Sequence, residues 1–101
     1  MDKFEIAAQE EIDRQILAFV RGMQESAPVT ADSIFAYLRN HARIRCTPSQ
    51  ADDRIAYLHS AGLLEKFTEW DAGEITRYEI TALGMDLLDG KVPPRNWKPK
   101  T

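Results

Sequence analysis

The sequence predicts a mainly helical domain carrying one β-hairpin, and three observations point there. Apolar residues recur at helical spacing over three separate stretches between Glu10 and Ser60. Two runs of aromatic and β-branched residues flank the link Asp71-Ala72-Gly73-Glu74, the pattern of a hairpin. Thr30, Thr47 and Thr81 each stand where a helix would begin, and threonine is a favoured N-cap.

The first helix is expected from Glu10 to about Glu25, with Ile12, Ile16, Phe19, Val20 and Met23 on one stripe. Pro28 closes that segment, because the residue before a proline is pushed out of the α region. Val29 is expected to supply a very short strand. Thr30 then caps a second helix with Ala31, Ile34, Phe35, Leu38 and Ala42 inward.

Thr47-Pro48-Ser49-Gln50 is the clearest start signal in the chain. Threonine at the cap, proline at the first helical position and glutamine three residues on make a capping box. Ala51, Ile55 and Leu58 form the inner face of this third helix, 47–61, and Gly62 suits the left-handed closing position. Arg43-Ile44-Arg45-Cys46 is the short connection before it. Leu63–Trp70 and Ile75–Thr81 are the expected strands, with Phe67, Tyr78 and Ile80 toward the core. Thr81 caps a last short helix bearing Leu83, Leu87 and Leu88, and Gly90 closes it. Pro93, Pro94 and Pro99 make the rest an extended tail.

At 101 residues and 44% hydrophobic the chain suffices for a single core without metal or disulfide staples. One cysteine, Cys46, excludes an internal disulfide framework and a multi-cysteine zinc site. No apolar run approaches the roughly 18 residues that span a bilayer, and Met1-Asp2-Lys3 does not open a signal peptide, so a cytoplasmic protein is expected. His41 and His59 lack metal-ligand spacing, and no Gly-rich phosphate loop, nucleophile elbow or HExxH motif occurs. No cofactor, no metal and no enzymatic activity are expected. Cys46 is expected to be a half-buried filler; the alternative is a thiol whose pKa is lowered by the helix N-terminus that follows it.

Three helices, a two-stranded hairpin and a short closing helix form the layout of a winged helix: a helix-turn-helix core with the third helix for recognition and the hairpin as wing. The stretches TPSQADDRIAYLHSAGLLEKF and RYEITALGMDLLDG resemble the recognition helix, wing and closing turn of winged-helix regulators. The shared hallmarks are "L-x-x-x-G-L-L" and "Y-x-I-T-x-x-G". The end, TALGMDLLDGKVPPRNWKPK, also resembles small proteins of Mu-like phages and prophages. The resemblance covers residues 10–90, leaving 1–9 as an N-terminal extension and 91–101 as a basic, proline-containing tail. It implies double-stranded DNA as partner, and transcriptional or phage-type regulation as role.

Charge divides the chain. All 16 acids and nine of the 13 Lys and Arg lie in residues 1–90, a net −7, whereas Lys91, Arg95, Lys98 and Lys100 give the last eleven residues +4. An acidic body opposes indiscriminate phosphate binding, so a DNA role needs a local patch. Arg39, Arg43, Arg45 and Arg54, set against Asp52 and Asp53, form the only basic island of the body.

Gln50, Asp53, Arg54 and Tyr57 are spaced to line the face opposite Ala51, Ile55 and Leu58, where a recognition helix presents side chains to the major groove. Arg54 suits guanine and Gln50 adenine, each bidentate contact contributing about 1–3 kcal/mol of discrimination. Ser49 and the helix N-terminus suit a phosphate; Arg39, Arg43 and Arg45 suit the backbone. Arg77 is the one wing residue expected to touch a phosphate, because the wing totals −3 and its tip has no base.

The same facts admit a second reading, a protein-interaction module that uses its acidic wing and the Trp97 tail. Trp70, at a strand end, is expected to pack at the hairpin's edge. The tail around Trp97 suits DNA, a partner's groove, or its own domain. A homodimer is expected to gain affinity from two half-sites, with the first helix and Phe4–Ala8 as its surface.

Overall fold

A computed structural model describes residues 2–70 and 73–91. The elements run α1 (Lys3–Met23), α2 (Ala31–Asn40), α3 (Pro48–Ser60), β1 (Leu64–Trp70), β2 (Glu74–Ile80) and α4 (Ala82–Leu88). The chain is thus mainly helical, with a two-stranded antiparallel hairpin between the third and fourth helices. The tail with Trp97 and the tip residues Asp71 and Ala72 lie outside the described residues.

Each helix starts at a residue whose side chain caps it. Thr30 Oγ1 accepts from Ser33 N while Ser33 Oγ accepts from Thr30 N, and Thr47 and Gln50 repeat the reciprocal pattern before Pro48. Both boxes satisfy amides that the helix itself leaves unpaired. α1 begins seven residues earlier than the apolar stripe suggests, because Asp2 accepts from Glu5 N at 2.9 Å and supplies a cap there. Its first turns therefore stand in solvent, with Phe4 76% exposed.

One core joins all the elements. Ile16, Leu17 and Val20 of α1 meet Ile34 and Leu38 of α2, Ile55 and Leu58 of α3, and Leu63, Leu64 and Ile80 around the hairpin. Leu17 is buried although it falls outside the five-residue stripe expected for α1. Met23, inside that stripe, is 40% exposed, since α1 ends there. Val29 forms no strand; it is buried, and its carbonyl accepts from Tyr78 N at 2.8 Å. With Gln24 Oε1 accepting from Ile80 N at 2.8 Å, the outer edge of β2 is partly satisfied.

The hairpin pairs Leu64 with Ile80, Lys66 with Tyr78 and Phe67 with Arg77. Side chains alternate, so Leu64, Tyr78 and Ile80 share the core face and Phe67 points the other way. The expectation that Phe67 packs inward is corrected by this register: its ring lies under the Arg77 guanidinium, 4.4 Å from the centroid.

The turn into α4 is tied twice to the end of α3. Thr81 Oγ1 accepts from Gly84 N at 3.0 Å and donates to the Gly62 carbonyl at 2.7 Å, while Thr81 N donates to the Leu63 carbonyl. Gly84 packs so closely that a Cβ there would lie 2.4 Å from the Leu63 carbonyl oxygen. These contacts account for a threonine and a glycine three apart at Thr81 and Gly84 of this chain. Gly62, at φ 78, closes α3 in the left-handed region as expected.

Candidate nucleic-acid interface

The turn between α2 and α3 gathers three exposed arginines, Arg39, Arg43 and Arg45. Arg39 sits in the last turn of α2, and its charge is felt by the Cys46 thiol, so the end of α2 lies beside the residue after Arg45. Arg39, Arg43 and Arg45 are all exposed. Among the described residues none of the three forms a salt bridge. The Arg39 guanidinium lies over the Phe35 ring, 5.7 Å from its centroid.

Arg43 is the one non-glycine residue at positive φ (54°) among the described residues. Arg43 lies two residues past His41, the right-handed cap of α2, and Ile44 N beyond it donates to the Leu38 carbonyl at 2.8 Å. Glycine takes such positions without cost, and a side chain there is strained by about 1–2 kcal/mol. An arginine stands where backbone geometry favours glycine.

The start of α3 follows directly. Ser49 is exposed in its first turn. Gln50 is exposed too, but its Oε1 accepts from Thr47 N at 2.8 Å, so its carbonyl is committed to the cap and its amide N–H groups are what it has left to donate.

Arg54 is not on the outward face. It donates from Nε to Asp13 Oδ1 at 2.8 Å and from Nη2 to Asp13 Oδ2 at 2.6 Å, and the pair is largely covered. Tyr57, half-buried against the core, carries the Arg54 guanidinium over its ring at 4.4 Å. The expectation of Arg54 and Tyr57 as groove-facing residues is therefore corrected: both turn toward α1. Asp13 lies four residues before Leu17 and so shares its side of α1. That spacing was the signal for this pair.

Electrostatics agree. Burial pushes the Asp13 carboxyl above the usual aspartate range, more than the Arg54 hydrogen bonds pull it down. Arg54 is shifted upward, chiefly by its bond to Asp13. The two shifts assign the pair opposite worth. The desolvation of Asp13 decides, because Arg54 is charged at any relevant pH.

Arg77 is also committed. It donates to Glu69 and to Glu79, and these two bonds raise its pKa. A residue expected to meet phosphate is thus neutralised by two hairpin acids. Trp70, expected to pack at the hairpin edge, is 74% exposed. The Cys46 thiol is pushed up by burial, which outweighs Arg39, so the alternative of a lowered pKa is corrected. It packs against the core as a half-buried filler.

What remains outward on α3 beyond Pro48, Ser49 and Gln50 is Asp52, Asp53, Ala56, His59 and Ser60, an acidic and sparse surface. No helix among the described residues is long and apolar enough to cross a membrane. No group of three His, Cys, Asp or Glu among them is placed to hold a metal. Searches of protein-family models, curated proteins and solved structures find no match to this chain.

Proposed function

We propose that the chain is a small winged-helix DNA-binding protein of the transcriptional or phage-regulator type, gripping the duplex backbone at the entrance to α3. The observation that carries this reading is the trio Arg39, Arg43 and Arg45, exposed, without salt bridges among the described residues, and grouped around one turn. Phosphate contacts of this kind set register and orientation on DNA. Ser49 and the α3 N-terminus add a site for one more phosphate oxygen.

Base reading in this account falls to Gln50 through its amide N–H groups, and Arg54 takes no part. Specificity is accordingly modest and affinity strongly salt-dependent. Labelled random duplex titrated with protein, followed by anisotropy at low and at moderate salt, tests it. Binding that weakens steeply with salt supports the reading, and no binding at low salt contradicts it.

A second reading has its own observation. Trp70 is 74% exposed and Ile75 41% exposed, on a hairpin rich in acids. An exposed tryptophan is a common anchor of protein interfaces. A protein-interaction module would bind through this hairpin, lose its partner on Trp70→Ala, and respond little to salt.

A further inference from the structure

The two outer edges of the hairpin are treated differently. Tyr78 N donates to the Val29 carbonyl and Ile80 N to Gln24 Oε1, each at 2.8 Å, so the link from α1 to α2 covers the free side of β2. Those two amides also fix the phase of the ladder. In an antiparallel pair, residues that turn their backbone groups away from the partner strand stand opposite one another. Lys66, Thr68 and Trp70, opposite Tyr78, Thr76 and Glu74, therefore turn their N–H and C=O groups to the free side of β1. Among the described residues no backbone hydrogen bond from outside the hairpin reaches these three. The pairing runs from Leu64 to Trp70 with neither bulge nor proline, two devices that commonly blunt an edge.

We propose that β1 of a second copy adds to this edge, antiparallel about a two-fold axis at Thr68, and joins the two hairpins into one sheet. Such a contact uses the same strand from each copy and closes at a dimer.

Charge selects both the occupant and the register. Outward-turned residues must face outward-turned residues, so the axis passes through a residue of β1. Placed at Glu65, Lys66 or Glu69 it sets that charge against its own copy, and placed at Phe67 it sets Glu65 against Glu69. Like charges directly opposite are destabilising. Placed at Thr68 it pairs Lys66 with Trp70, Phe67 with Glu69 and Thr68 with itself, with no like charges opposed within the strand. Lys66–Trp70 and Thr68–Thr68 are then hydrogen-bonded positions, each exchanging two N–H···O bonds.

The exposed tryptophan gains cover in the same register. Lys66, Thr68 and Trp70 share the face of Leu64 and Tyr78. Trp70 of the second copy comes beside Lys66, whose ammonium suits its ring face. Lys66 is also one wall of a cavity of about 220 Å³ between α3 and the hairpin, with Ile55, Ala56, His59 and Tyr78 as other walls. The indole is thus brought to the mouth of that cavity. On the opposite face, Glu69 already accepts from Arg77, which lies over Phe67, so the Phe67–Glu69 pairing sets two such groups side by side.

This inference does not rest on nucleic-acid binding, and its surface is not the α1 surface expected from the sequence. Sedimentation equilibrium of the full chain over a range of concentrations tests it. The expected result is a reversible monomer–dimer equilibrium. Thr68→Pro removes an N–H that points off the hairpin and breaks no bond of the β1–β2 ladder, so it should give a folded monomer at every concentration. Trp70→Ala keeps every backbone bond and should raise the dissociation constant roughly tenfold or more, which carries the test if the proline variant does not fold. Ile6→Glu, at an exposed position on α1, should leave the dissociation constant unchanged. A parent that is monomeric at every concentration overturns the proposal. So does a dimer undiminished by Trp70→Ala or by a folded Thr68→Pro, or one that Ile6→Glu dissociates, which assigns the contact to α1.

Discussion

Asp13 of α1 clasps Arg54 of α3 with two hydrogen bonds, 2.8 and 2.6 Å long, beneath a largely covered surface. The clasp fixes the crossing of the two helices, and it removes from the outward face of α3 the arginine best suited to reading guanine. Removing one partner strands the other. Asp13→Ala should destabilise the fold by roughly 2–3 kcal/mol, somewhat less than a fully buried pair. The double variant Asp13→Leu, Arg54→Met should recover most of that loss. Urea unfolding of the parent, Asp13→Leu, Arg54→Met and their double variant measures the coupling, and additive losses would contradict the clasp.

Acid titration separates carboxylates by environment. Asp13 is shifted up by burial, so the folded protein binds its proton more tightly than the unfolded chain does. Stability from this group is greatest below the ordinary aspartate range and declines as pH rises through the raised value. Asp89, held by Arg21, and Glu11, held by Arg14, are shifted down; their stabilisation is present above the ordinary values and is lost as pH falls through the lowered ones. Side-chain carboxyl NMR should find Asp13 protonating first on acidification and Asp89 after it.

Gly84 is expected to tolerate nothing larger. A methyl group would meet the Leu63 carbonyl at 2.4 Å and Ile80 Cγ1 at 2.7 Å, and the backbone atom has no room to yield. Gly84→Ala should cost about 1–3 kcal/mol by overpacking, read as a lower urea midpoint. Gly22, with open space around it, is the control: Gly22→Ala should match or exceed the parent's stability.

Much of this architecture was legible in the chain. Thr30, Thr47 and Thr81 marked three helix starts because a capping threonine acts within four residues of sequence. Gly62 marked a helix end for the same local reason. The length of α1 was missed because Asp2, another short-range cap, lies before the apolar stripe begins. Phe67 was misplaced although the strand period of two, counted from Leu64, sends it outward. The site was less legible. Gln50 was read both as a cap and as a base reader, and its carbonyl serves the first. The partners of Arg54 and Arg77 are fixed by tertiary contact, 41 residues apart for Asp13 and across the hairpin for Glu69. The Asp13–Leu17 spacing marked Asp13 as turned inward, but nothing in the local pattern around either arginine named its partner.

Arg43 separates folding from binding. At φ 54 a glycine relieves local strain while its greater freedom in the unfolded chain opposes folding, so Arg43→Gly should leave stability within about 1 kcal/mol of the parent. DNA affinity should nevertheless fall for every sequence alike. A protein that loses stability and binding together would assign Arg43 to the fold alone.

The most direct test of the central claim is the salt dependence of duplex binding, compared between the parent and a variant with Arg39→Ala, Arg43→Gly and Arg45→Ala. Each neutralised phosphate contributes about −0.9 to the slope of log affinity against log salt. The account predicts that the triple variant flattens the slope by about 2.7 and binds random duplex weakly even at low salt. An unchanged slope and affinity in the triple variant would contradict it.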